Sequence, residues 1–385
     1  MRRITLVLAA MALASLASVG ALLAMPMDSA RGAEPLPPGF TQSQVVSGLS
    51  NPMDMKFAPD GRLFVAEQAG KLRVVDSNGN LATFLDISSR VDSSAERGLM
   101  GVAFDPNYST NRFIYLYYTR KATSTTPVHN RIVRFTANSS GNGVVAGSER
   151  LIFRLNNQST NYHQGGAIDF GSDGKLYAST GDNGSPSKSQ KLTNLFGKMV
   201  RINKDGTIPS SNPFYSTATG NNRAIWARGL RNPFKLDVSR NTGAMFINDV
   251  GGNNDATARE EINKGEAGAN YGWPVHEGLA NDPPYVDPIF DYGHGSTDTT
   301  GCAITGGTFY DPTTVQFPDS YLGNYFFADL CNGWIRSYDP ANDTASGFAT
   351  GLSSVVDLEV SNNGGLYLLS RGTTGTVDKI TYSVN

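Results

Sequence analysis

Charge is scarce in this chain. Lys and Arg (32) and Asp and Glu (34) make up 17% of its 385 residues and nearly cancel, leaving a formal net charge of −2. The cations are scattered rather than gathered on a face, which excludes nucleic acid as a partner. Histidine is rarer still, with four residues (His129, His163, His276 and His294), so each is a marked candidate for proton transfer near neutral pH. Cysteine occurs twice, at Cys302 and Cys331, and without the C-x-x-C spacing of a reactive pair. In an oxidising compartment the two are most simply one disulfide, closing a loop of roughly 30 residues for about 3 kcal/mol. No G-x-S-x-G, H-E-x-x-H, phosphate loop or dinucleotide fingerprint stands in a suitable context; GDNGSP at Gly181 lacks the helix that phosphate binding needs.

Long apolar runs are confined to the N-terminus. Arg2 and Arg3 precede an apolar stretch from Ile4 to Ala24, the pattern of a secretory signal peptide, with a cut expected after Ala33 despite Arg31 at the −3 position. Left uncut, the stretch is long enough to anchor the chain in a bilayer. Either outcome exports the body of the protein to a periplasm, a cell surface or the medium, and no other segment could cross a membrane. The expected division is residues 1–33 as signal peptide, 34–48 as linker and closing strand, and 49–385 as one domain.

What the chain has in abundance is glycine, 42 residues, and one repeated phrase. Met53–Asp76 (MDMKFAPDGRLFVAEQAGKLRVVD) is an alternating apolar strand, an Asp-Gly turn, a second strand, a Gly and a third strand. The phrase returns from Gly101, Ala167, Lys235, Gly306 and Val355. Alternating runs bounded by turn residues are strands, and self-similar sheets of this size stack radially. The expectation is an all-β, six-bladed β-propeller of four-stranded antiparallel sheets. The strand in Thr41–Gly48 is expected to pair beside the C-terminal strand and close the ring. Extra residues gather in 182–231 and 249–304, where functional loops are expected.

Three constellations could carry chemistry. His163 lies just before the inner strand of the third repeat and Asp182 just after the strand paired with it, so the hairpin brings them together. A base oriented by a carboxylate suits proton abstraction; the alternative is a strand cap and an Asx turn. Arg231 and Asn232 in RGLRNP could clamp a planar anion or form a surface turn. Asp249, Asn253, Asn254, Asp255, Glu260 and Glu261 make an oxygen-rich stretch of the kind a hard cation accepts, or else a solvated acidic loop. The aromatics, Trp226, Trp273 and Trp334 among them, line a sugar site or fill the seams between sheets.

In order along the chain, ERGLMGVAFDP, HQGGAIDFGSDGKLYASTGDNG, GKMVRINKDGTIP, RGLRNPFKLDV, EEINKGEAGANYGWP and TGGTFYDP resemble the soluble glucose/sorbosone dehydrogenase family from about Leu49 to Tyr382. That family comprises six-bladed propellers and includes pyrroloquinoline quinone (PQQ) dependent aldose dehydrogenases. The resemblance implies an exported sugar dehydrogenase with PQQ and Ca²⁺ as cofactors, a small-molecule sugar as substrate and an electron acceptor as partner. It implies His163 as the base at the anomeric hydroxyl, Asp182 as its orienting carboxylate, and Arg231 and Asn232 against the cofactor. The backbone carbonyls of Val250 and Gly251 would hold Ca²⁺. The chain departs from the pattern at four places: Glu96 replaces a glutamine lining the sugar pocket, Cys331 a lysine, and Ser354 and Val356 two arginines of the cofactor cradle. A non-catalytic extracellular propeller binding carbohydrate or protein at the same face is the alternative that these departures leave open.

Overall fold

Alternation and turn chemistry produce the expected sheets. The structure, a computed structural model, describes residues 36–76 and 78–383; the expected signal peptide and its cleavage point lie outside them. Blade one is β2 (Pro52–Phe57), β3 (Leu63–Glu67), β4 (Lys71–Val75) and β5 (Leu81–Asp86). Blade two is β6 (Leu99–Phe104), β7 (Phe113–Arg120), β8 (His129–Thr136) and β9 (Arg150–Asn157). Blade three is β10 (Gly165–Phe170), β11 (Leu176–Thr180), β12 (Lys198–Ile202) and β13 (Ile225–Arg228), and blade four β14 (Pro233–Val238), β15 (Met245–Asp249), β16 (Arg259–Lys264) and β17 (Phe290–Gly293). Blade five is β18 (Ile304–Phe309), β19 (Tyr325–Asp329), β20 (Ile335–Asp339) and β21 (Thr344–Ala349). Blade six joins β22 (Val355–Val360), β23 (Leu366–Ser370) and β24 (Gly375–Tyr382) to β1 (Phe40–Leu49), which pairs antiparallel with β24. The N-terminal strand therefore closes the ring and leaves no blade short of an edge. The tight turns inside blades one and three need a left-handed residue, supplied by Gly61 (φ +84°) and Gly174 (φ +69°).

The apolar core is divided among the seams. Six clusters of buried side chains each join two neighbouring blades, for example Phe64, Phe84, Phe104 and Leu116 between blades one and two. A large apolar side chain taken out of water contributes about 1.5–3 kcal/mol, so the ring is held seam by seam.

The first strands of successive blades pack on one another around the axis, β2, β6, β10, β14, β18, β22 and back to β2. Their side chains fill the channel with ion pairs. Lys235 Nζ lies 2.6 Å from both Asp54 and Asp357; Lys56 Nζ lies 2.7 Å from Glu359, 2.9 Å from Asp169 and 3.6 Å from Asp237. Several of these carboxylates also stitch blades together through backbone amides. Asp54 accepts from Val102 N, Asp357 from Met55 N and Asp237 from Phe309 N, at 2.7–2.8 Å. Every one of the six inner strands is bulged against its neighbour near its start. Bulges bend a strand and re-aim its side chains, and here they ring one mouth of the channel.

Candidate active site

His163 sits at that mouth because β10 and β11 are paired with Gly165 opposite Thr180. Residues just outside the hairpin's open end are thereby neighbours. His163 Nδ1 lies 2.7 Å from Asp182 Oδ1. Asp182 is fully buried and its other contacts are donors: Gly184 N to Oδ1 at 2.7 Å and Trp273 Nε1 to Oδ2 at 2.9 Å. Burial pushes its carboxyl up, but the hydrogen bond and charge of His163, with Trp273 and Gly184, outweigh it and hold the group below its ordinary value. An ionised Asp182 takes the Nδ1–H of the imidazole, which leaves Nε2 as the free acceptor.

The backbone at His163 is left-handed, φ +51°. For a residue with a Cβ this costs roughly 1–2 kcal/mol, so the surroundings must impose it. His163 N donates to Glu96 Oε2 at 2.9 Å, and His163 O accepts from Asn183 N at 3.3 Å. Gly181 has to be glycine for the same reason: a Cβ there would stand 2.1 Å from His163 O. Strain of this kind gathers at functional sites.

Glu96 ties His163 to blade four. Its Oε2 also accepts from Asn232 Nδ2 at 3.3 Å, while Asn232 Oδ1 accepts from Gly165 N at 2.9 Å. Burial pushes the Glu96 carboxyl up, against the opposing pull of His163 and Arg231. Arg231 and Asn232 are held from beneath, where Asp249 Oδ2 and Oδ1 accept their backbone N–H groups at 2.9 and 2.7 Å. Arg231 O in turn accepts from Asp182 N at 2.8 Å. His163, Asp182, Glu96, Arg231 and Asn232 thus form one hydrogen-bonded set drawn from blades two, three and four.

The guanidinium of Arg231 is buried yet meets only neutral oxygens, Val250 O at 3.1 Å and Asn253 Oδ1 at 2.6 Å, and it lies 5.6 Å over the Trp273 ring. The nearby acids are committed elsewhere. Glu260 accepts from Gly251 N, Ile304 N and His294 Nε2, and Glu261 from Gly278 N and Asn263 Nδ2. The oxygen-rich stretch of 249–261 therefore turns its buried carboxylates onto protein donors. Of the residues expected at a cation, Val250 O already accepts from Arg231 and Gly251 N donates to Glu260.

Trp273 is a site residue that its YGWP context did not single out. Of the other tryptophans, Trp226 packs edge-on against Tyr177 at 5.0 Å, and Trp334 is fully buried with Nε1 on Thr300 O at 2.8 Å. The remaining histidines pair away from His163: His129 with Pro127 O, His276 with Asp282 and His294 with Glu260 and Asp255. Cys302 and Cys331 form the expected disulfide, Cα atoms 5.7 Å apart. They stand beside Asp329 in the one cluster of three ligating residues found among the described residues, and the disulfide removes both sulfurs from metal binding. Val356 is buried in the seam between blades six and one, against Met55 and Leu369.

A family model described as Glucose / Sorbosone dehydrogenase matches residues 49–379. Quinoprotein glucose dehydrogenase B of Acinetobacter calcoaceticus is 29% identical over 297 residues, 70% of this chain and 60% of that protein. The Hedgehog-interacting protein of Homo sapiens is 30% identical over 249 residues, 57% of this chain and 35% of its own length. The chain therefore spans less than two thirds of either relative. The PQQ-bound form of aldose sugar dehydrogenase from Streptomyces coelicolor superimposes with a TM-score of 0.71 at 23% identity, covering 90% of this chain and 100% of that one, a likeness of fold.

Proposed function

This chain belongs to the glucose/sorbosone dehydrogenase family, and from that premise we propose that it is an exported sugar dehydrogenase oxidising an aldose at C1. The observation that carries this reading is the His163–Asp182 pair, 2.7 Å apart, on a strained backbone at the mouth of the channel.

With Nδ1–H committed to Asp182, His163 Nε2 is the acceptor for the proton of the sugar's anomeric hydroxyl as the C1 hydride departs and the lactone forms. Asp182 fixes the tautomer and stabilises the imidazolium that results. Trp273, donating to Asp182, keeps the carboxylate in line with the ring. Glu96 and Asn232 hold the His163 backbone in its left-handed state. PQQ, when bound, supplies the two-electron acceptor that the oxidation requires, and Ca²⁺ supplies a Lewis acid beside it.

The residues at the mouth fit an anionic cofactor, because Arg231 is a buried cation that forms no ion pair among the described residues. Two carbonyls, of Val250 and Gly251, are few for Ca²⁺, which takes six to eight oxygens; a carboxylate-bearing ligand and water would complete the set. Export, a sugar substrate and an external electron acceptor belong to the same proposal. No helix among the described residues is long and apolar enough to cross a membrane.

Purified protein supplied with Ca²⁺ and PQQ should reduce an artificial electron acceptor when given aldoses, and His163→Ala should abolish the reduction. Absence of turnover across a panel of aldoses, with PQQ demonstrably bound, sinks the dehydrogenase reading. The second reading, a propeller that binds carbohydrate or protein without turnover, is favoured by Cys331, Ser354 and Val356, where cradle cations are replaced by a disulfide, a turn residue and a core side chain.

A further inference from the structure

Opposite Arg231 across the ring, another guanidinium stands without an acid among the described residues. Arg371 follows β23 at the end where Ser370 pairs with Val355, and its backbone N donates to Ser354 O at 2.9 Å. Its side chain crosses the seam to the start of β2. Nη1 donates to Pro52 O at 3.2 Å and Nη2 to Gln68 Oε1 at 2.5 Å. Gln68 is itself buried and donates from Nε2 to Ala95 O and Arg97 O at 2.5 and 2.7 Å, the two carbonyls that flank Glu96. Arg371 therefore reaches the catalytic set through one side chain.

Its charge is uncompensated. Burial lowers the basicity of the guanidinium, and no acidic neighbour among the described residues offsets the shift. The acids nearby are already taken: Glu67 pairs with Arg73 at 3.0 Å and Asp92 with Arg97 at 2.9 Å. Arg336, also lacking an acid among the described residues, differs in place, because it lies on β20 against Phe290 and Trp334 in the seam between blades four and five. Arg371 has only neutral oxygens and the sulfur of Met53 around it. A half-buried cation without an acid is costly to keep unless something anionic meets it, and arginine suits a planar carboxylate better than any other side chain.

We propose that Arg371 is a binding residue for a carboxylate of an elongated aromatic polyanion whose other end is met by Arg231. The proposal rests on the cofactor reading above and deepens it. The cationic group missing at Ser354 and Val356 is supplied from the loop after β23, which touches Ser354 through its backbone. A ligand held from blades six and four would span the channel mouth beside His163 and Glu96.

The test is titration calorimetry on the purified protein with Ca²⁺, using two probes: PQQ, and naphthalene-2,6-dicarboxylate, which carries carboxylates at both ends and no quinone. Arg371→Gln should weaken binding about 10- to 100-fold, the range for losing one charge-assisted hydrogen-bonded contact. It should also flatten the salt dependence of Kd. Arg371→Lys, which keeps the charge without the fork, should fall between wild type and Arg371→Gln, and serves as the informative variant should Arg371→Gln unfold. If wild type and both variants bind PQQ equally, Arg371 has no such role and the dehydrogenase reading survives. If wild type ignores PQQ but binds the dicarboxylate in an Arg371-dependent way, the cofactor reading falls and the anion site stands. Binding of neither probe, or of either without dependence on residue 371, overturns the proposal.

Discussion

Deep in the channel, Lys235 and Lys56 meet five carboxylates at ion-pair distance, whereas at its mouth Arg231 and Arg371 meet none among the described residues. Inner strands supply the lower level, whereas Arg231 comes from the loop that feeds β14 and Arg371 from the loop after β23. Below, each cation is matched within the protein, and the carboxylates that outnumber the lysines use their spare oxygens on neighbouring amides. That level has nothing left to offer a ligand. Above, the acids are spent on backbone N–H groups or on His163, and the guanidiniums face neutral atoms. A propeller can thus use buried charge to close its axis at one level and to hold a partner at the next. The difference lies in whether the protein completes its own pairs.

The comparison breaks most visibly at His163. His163→Ala should lower turnover by at least 10²-fold and cost no more stability than the loss of its one hydrogen bond to Asp182, since the ring stands at the mouth and outside the seams. A large loss of stability instead would make the pair structural. The reverse is expected of Lys235→Met, which strands Asp54 and Asp357 without their cation. Breaking a buried pair in this way costs about 3–5 kcal/mol, measurable by urea unfolding. A neutral result there would mean that the lower level is also poised for something outside the chain.

Two smaller effects sharpen the contrast by pH. Asp182 has a carboxyl held below its ordinary value of 3.8, so the hydrogen bonds it accepts add stability that is present above about pH 4 and fades as pH falls through the folded value. The stability gap between wild type and Asp182→Asn should therefore narrow on acidification below pH 4, and a gap that widens there contradicts the assignment. Asp237 runs the other way, pushed up to about 7 by burial, with Glu359 and Asp169 adding to it against Lys56. Its ionisation penalises the folded state increasingly from about pH 4 to pH 7. Asp237→Asn, which can still accept from Phe309 N, should gain on wild type across that interval and hold its gain above it. A flat difference between pH 4 and 8 would show that the carboxyl is ionised throughout.

The ring was legible in the sequence because each blade is built from local hairpins, with alternation and turn glycines enough to mark it. Closure by residues 41–48 followed from a strand left over at one end. The His163–Asp182 pair was legible for the same reason, 19 residues apart across a single hairpin. Trp273 was hidden by its separation of 91 residues from Asp182, and Lys235 by its separation of 181 from Asp54. Arg371 was harder still, with Gln68 303 residues away and visible as a partner only once the ring is closed. Local grammar specifies the blades; the channel exists only where six of them meet. The acidic stretch 249–261 illustrates the limit, since a carboxylate aimed at a cation and one aimed at a neighbour's amide have the same letter.

The proposed chemistry requires a channel mouth that receives an anionic redox cofactor beside His163. Calorimetric titration of PQQ into the purified protein with Ca²⁺, at low and at high salt, measures it directly. The account predicts binding in the micromolar range or tighter at low salt, weakening as salt rises. No heat of binding at micromolar concentrations at either salt would contradict it.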